Sequence, residues 1–169
     1  GRGNGRGHGN GHGHGHGRRE RIHIVRNHEQ GSLSGAFAQG MTYDPMADGG
    51  TSTLVFDPDR GKFEASWASL SGTIRNCAGG PTPWGSWLSC EEFDGGRVWE
   101  CDPLGVAPAV VRPALGVFNH EAAAVDPVRE QLYLTEDKPD GGFYRFTPVA
   151  YPDLSEGLLE VAVVAVNGS

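Results

Sequence analysis

The sequence predicts an all-β protein. Three observations lead there: many turn-forming residues, a succession of short apolar runs each closed by a turn signal, and no convincing amphipathic helix. Of 169 residues, 27 are Gly and 11 are Pro. Both types break helices and punctuate turns, which favours short strands in tight succession. A hydrophobic share of 37% is low but supports a core.

Residues 1–17 carry Gly at every odd position, with Arg, Asn and His between. Such a stretch has no apolar side chains to bury and a high entropic cost of ordering, so residues 1–19 are expected to be a disordered tail. Its histidines, His8, His12, His14 and His16, could hold a transition metal weakly, and a flexible linker is the plainer reading. Residues 20–169 form the second unit. The first strand expected there is 21–26, running into Asn27-His28-Glu29. Residues 53–56 follow, closed by Asp57-Pro58-Asp59-Arg60-Gly61, with 62–70 as the hairpin partner. Residues 71–85 hold many Gly, Pro and Trp and are expected to be a rigid loop that lets backbone approach a ligand closely. Strands are then expected at 84–90, running into Glu91-Glu92, and at 97–101, closed by Asp102-Pro103. Further strands are expected at 122–125, closed by Asp126-Pro127, at 131–135, running into Glu136-Asp137, and at 142–147. The apolar run 158–166 reads as a buried strand.

Strand followed by Asp-Pro occurs three times, and Asn-His-Glu twice, at 27–29 and 119–121. Hairpins repeated at this density suggest a β-propeller. A propeller needs at least about four blades of roughly 40–50 residues each. The chain has room for about three, so it is expected to hold a partial propeller with an incomplete set of blades.

Charge narrows the function. Residues 1–30 carry a net +4 and the remainder −11. So acidic a body is a poor partner for nucleic acid, and a better host for cations. It could still act on a phosphate compound if bound metal reversed the local charge. Cys77, Cys90 and Cys101 form no Cys-x-x-Cys pair, and their odd number argues against a disulfide framework. Cys90 and Cys101 lie within expected strands and read as buried apolar residues. No apolar run reaches the roughly 20 residues that span a bilayer.

Four strands end in acidic clusters: Asn27-His28-Glu29, Cys90-Glu91-Glu92, Asn119-His120-Glu121 and Glu136-Asp137. Each alone is what a polar turn requires. Four together would repel one another unless cations neutralised them, which points to a metal site. Carboxylates suit calcium, and a thiolate or imidazole suits iron or zinc. Cys77 could be a ligand or a nucleophile. The pattern of a thiolate phosphatase, Cys-x5-Arg, is broken because Pro83 stands where Arg is needed, and there is no Gly-x-Ser-x-Gly elbow.

At this point a resemblance becomes specific. TIRNCAGGPTPWGSWLSCEE at 73–92, FNHEAAAVDP at 118–127, LYLTED at 132–137 and FYRFTP at 143–148 resemble the signature of the PhoX-type alkaline phosphatases. VRNHE at 25–29 and GGTSTLVFDP at 49–58 fit as well. The resemblance implies a β-propeller, an exported bacterial protein of the periplasm or cell exterior, and a small phosphomonoester substrate. It implies hydrolysis with calcium and iron as cofactors, by a metal-bound oxygen nucleophile. It makes Cys77 a thiolate ligand to iron, and Glu91 or Glu92, with Glu121, acids that bind iron and calcium. Asn76, His120, Glu29, Glu136 and Asp137 follow as secondary candidates, orienting the ligands. The Gly/His tail stands where the family has an upstream blade segment, and family members continue beyond Ser169. The chain is therefore expected to be a fragment of an enzyme. The alternatives are a non-catalytic calcium-binding propeller and an inactive gene fragment.

Overall fold

The computed structural model describes residues 20–38 and 42–163; the expected tail at 1–19 and the end of the 158–166 run lie outside the described residues. Within them the chain is all-β, with eleven strands and one 3-10 turn at Pro113–Leu115. No helix there is long and apolar enough to cross a membrane.

The strands form three antiparallel meanders, and none closes on itself. The first joins β1 (Ile22–His28), β2 (Gly49–Asp57) and β3 (Lys62–Thr73). The second runs β4 (Asn76–Pro81), β5 (Trp87–Glu91), β6 (Val98–Cys101), β7 (Val110–Val111). The third runs β8 (His120–Asp126), β9 (Gln131–Glu136), β10 (Phe143–Pro148), β11 (Gly157–Val161). Within each sheet neighbours in sequence are neighbours in space. The three Asp-Pro sites are turns between such neighbours. Asp57 accepts the amides of Asp59 and Arg60, Asp102 those of Leu104, Val106 and Ala107, and Asp126 those of Val128 and Arg129. A carboxylate that takes the amide two residues on imitates a backbone turn, which is why Asp recurs there.

The larger apolar core lies between the second and third sheets, where Leu88, Cys90 and Val98 meet Leu132, Leu134 and Phe146, all fully buried. Leu70, Trp99, Cys101 and Ala109 join the first sheet to the second. Cys90 and Cys101 are both fully buried, as their strand positions predict.

Two expectations are corrected. The stretch 71–85 is not one loop: β3 runs through to Thr73, and Asn76–Pro81 is a strand. Its glycines serve close approach instead. A Cβ on Gly79, at φ +156°, would lie 1.8 Å from the Leu88 carbonyl oxygen, and one on Gly80 would lie 2.0 Å from that of Ala123. Only glycine lets β4 press against β5 and β8 at once. The described part of the run 158–166 is not a buried strand; β11 is half-buried to exposed, since no further sheet covers it among the described residues. The short strand β7 and the 3-10 turn have no clear sequence signal.

Asp48, 6% exposed, anchors the segment that follows β1. Its Oδ2 accepts the hydroxyls of Ser32 at 2.5 Å and Ser34 at 2.7 Å. Those hydroxyls hold its carboxyl down to about 2, against an ordinary 3.8. A depressed carboxylate stabilises the fold above its unfolded value, and the gain is lost as pH falls through the folded one. The stability difference between the wild type and Asp48→Asn should therefore shrink as pH drops from 3.8 to about 2. Paired denaturant melts across that window test this, and a constant difference would refute it.

Candidate metal centre

One end of the three sheets collects the acids. β1, β5 and β9 run towards it, with Glu29, Glu92 and Asp137 at or just beyond their last residues, while β4 and β8 start there. Cys77 and Glu121 are in β4 and β8, each at a register shift. The β4–β5 pairing skips from Asn76 to Gly79, and the β8–β9 pairing from His120 to Ala123. A bulge turns a side chain away from the alternation of its strand. Two bulges at matching positions of two sheets aim a thiol and a carboxylate at the same place.

Two overlapping groups result. Glu29, Cys77 and Glu92 offer ligand atoms within 4.8 Å of one another, and so do Glu92, Glu121 and Asp137. Glu92 belongs to both. Cys77 Sγ donates to Glu121 Oε1 at 3.6 Å, which ties the groups together. The Cys77 backbone is fixed from the first sheet: Asn27 Nδ2 donates to its carbonyl at 3.0 Å, and Asn27 Oδ1 accepts from Trp87 and Ser89.

The electrostatics suit a cation. Burial pushes the Cys77 thiol well above its ordinary range, and the hydrogen bond to Glu92 and the charges of Glu121 and Glu29 push the same way. Burial also raises the Glu92 carboxyl, against the pull of Cys77 and Arg75. A thiol so placed stays protonated on its own, whereas a coordinated thiol is deprotonated. The donor set therefore fits metal ions: one triad is all oxygen, the other carries sulfur.

The other candidates are placed differently. Glu91, next to Glu92, turns the opposite way. Its two carboxylate oxygens accept the amides of Ile74 at 3.0 Å and Arg97 at 3.1 Å, so it clamps backbone. Asn76 is fully buried, accepts from Thr73 Oγ1 and donates to Ser89 Oγ, which sets the start of β4. Glu136 accepts from the Gly142 amide and the Tyr144 hydroxyl, interactions that hold its carboxyl low. His120 is fully buried against Phe118, with ring centroids 3.6 Å apart. Its Nε2 faces the Gly116 carbonyl at 3.3 Å, and burial drives its pKa to about 4, so it is neutral. Asn119 Nδ2 donates to the Asp137 carbonyl at 2.6 Å and steadies that residue's backbone.

Sequence reasoning missed Arg75. Its Nη2 lies 3.0 Å from Glu92 and 3.7 Å from Glu29, and its backbone takes a left-handed φ of +48°. The signal available was its place two residues before Cys77.

Fold and site together define an all-β protein whose strand ends bring a thiol and four carboxylates to one place. The sequence profile of the alkaline phosphatase PhoX family matches residues 58–101 and 94–162. The chain belongs to that family. Neither a curated protein nor a solved structure matches it.

Proposed function

We propose that residues 20–169 are a partial β-propeller carrying the metal centre of a calcium- and iron-dependent phosphomonoesterase, with residues 1–19 as a separate tail. The observation that carries this reading is the convergence of Cys77, Glu92, Glu121, Asp137 and Glu29 in a PhoX-family chain. Consecutive four-stranded meanders whose first strands, β4 and β8, lie against each other support the propeller. β1 ends at the site as β5 and β9 do, so the first sheet matches a blade without its innermost strand.

In this reading Glu92, Glu121 and Asp137 hold calcium, because all three ligands are hard oxygens. Cys77 with Glu92 and Glu29 holds iron, for which a thiolate is a ligand and for calcium is not. Such ions would supply the positive charge and Lewis acidity that phosphoryl transfer requires. The chain's own residues orient that charge: Asn27 fixes the Cys77 backbone, Asn119 that of Asp137, and Glu92 links the two triads. A small phosphate monoester then meets a site that is cationic within an acidic body. The periplasm or the cell exterior is the proposed location, on family grounds.

The experiment is elemental analysis of the chain with hydrolysis of a generic phosphomonoester, for the wild type and Cys77→Ser. Ser keeps the size but its hydroxyl is not ionised at neutral pH. Cys77→Ser should lose iron and its visible thiolate charge-transfer colour, and any hydrolysis, while the β-sheet circular dichroism is unchanged. Full iron content and colour in Cys77→Ser would make the cysteine a packing residue. The site would then read as a calcium-binding centre without catalysis.

A further inference from the structure

Arg75 is built into the candidate centre. Its amide donates to the Gln30 carbonyl at 2.7 Å, and its own carbonyl accepts from the Glu92 amide at 2.9 Å. The backbone is thus tied both to the segment after β1 and to the end of β5, in a left-handed conformation that non-glycine residues seldom adopt. The side-chain stem crosses Gly31, where an added Cβ would lie 2.9 Å from Arg75 Cγ. From there one nitrogen, Nη2, reaches both Glu92, at 3.0 Å, and Glu29, at 3.7 Å. Those two carboxylates are the acids of the Cys77 triad. The other triad, Glu92 with Glu121 and Asp137, keeps two carboxylates that Arg75 does not pair.

We propose that Arg75 is a resident counter-ion of the Cys77 triad, which an incoming metal ion must displace. The proposal rests on the metal-centre reading above. A guanidinium between two carboxylates offsets their repulsion while no ion is bound, and lowers the net charge that an ion would meet. Ion and guanidinium then compete for Glu29 and Glu92. The all-oxygen triad fills first, and the sulfur-bearing triad fills only when the Arg75 side chain turns out to solvent. Its exposed position makes that movement inexpensive, since an exposed ion pair is weakly held.

The test titrates the full chain with cobalt(II), whose thiolate charge-transfer band reports the Cys77 triad, and with calcium by calorimetry. Removing one positive charge a few ångströms from a divalent ion should tighten cobalt binding by about tenfold in Arg75→Gln. Arg75→Lys keeps the charge and should stay close to the wild type. Gly31→Ala displaces the stem without changing Arg75, so it should shift cobalt affinity in the direction of Arg75→Gln. Calcium binding at the other triad should change less than cobalt binding in every variant. Unchanged or weaker cobalt binding in Arg75→Gln, with binding by the wild type intact, overturns the counter-ion and leaves the metal centre standing. Absence of the band in both proteins overturns both, as does a band that survives Cys77→Ser.

Discussion

Glu92→Gln should weaken cobalt(II) and calcium binding by at least about 100-fold, and it should do so without destabilising the unloaded chain. The first half follows from position. Glu92 is the one residue common to both triads, so one substitution removes an anionic ligand from each. Loss of a mere orienting partner costs about 10–100-fold in metal affinity, and a direct ligand should cost no less. The second half follows from charge. Burial raises the Glu92 carboxyl, which means the folded chain pays to keep it ionised. Gln keeps the shape and removes that penalty along with repulsion from Glu121, Glu29 and Asp137. It also loses the ion pair to Arg75, an exchange that is small because Arg75 is half-exposed. Thermal melts should show an unchanged or higher midpoint, and calorimetry should show the weaker binding. A lower midpoint with unchanged affinity would make Glu92 a structural residue and remove the shared ligand from the scheme.

Its neighbour should behave in the opposite way. Glu91→Ala is expected to cost about 2 kcal/mol of stability while leaving ion binding by the folded protein unchanged. Glu91 is 6% exposed, and both its oxygens are occupied by the amides of Ile74 and Arg97. Ala removes the acceptors of these two part-buried amides, at up to about 1–3 kcal/mol each. Part of that is offset, because the variant no longer buries a carboxylate whose pKa burial has raised. Denaturant unfolding measures the loss. If Glu91→Ala melts like the wild type but binds cobalt(II) poorly, the two glutamates have been assigned the wrong way round.

These neighbours mark where the sequence stops being informative. From the sequence both are acids at the end of a strand behind Cys90. In β5 successive side chains point to opposite faces, so adjacent acids at its end face different surroundings. Which of them meets Cys77 depends on the β4–β5 register, and the bulge at Cys77 changes that register locally. A bulge has no fixed sequence mark, so neither it nor the matching one at Glu121 could be read in advance.

What the sequence by itself determined is the all-β class, the Asp-Pro turns, the burial of Cys90 and Cys101, and the acidic character of several strand ends. These depend on local properties: alternation, turn chemistry and the reach of an aspartate to the amides that follow it. The tertiary structure alone decided which of those acids meet. It gathers Glu29, Glu92, Glu121 and Asp137 from three sheets around Cys77, and leaves Glu91 and Glu136 holding backbone. It also turned the Gly-rich stretch into β4, where Gly80 answers to the carbonyl of Ala123, a residue of the next sheet far along the chain. Such contacts are long-range: they arise from the packing of one sheet on the next, which no local pattern encodes.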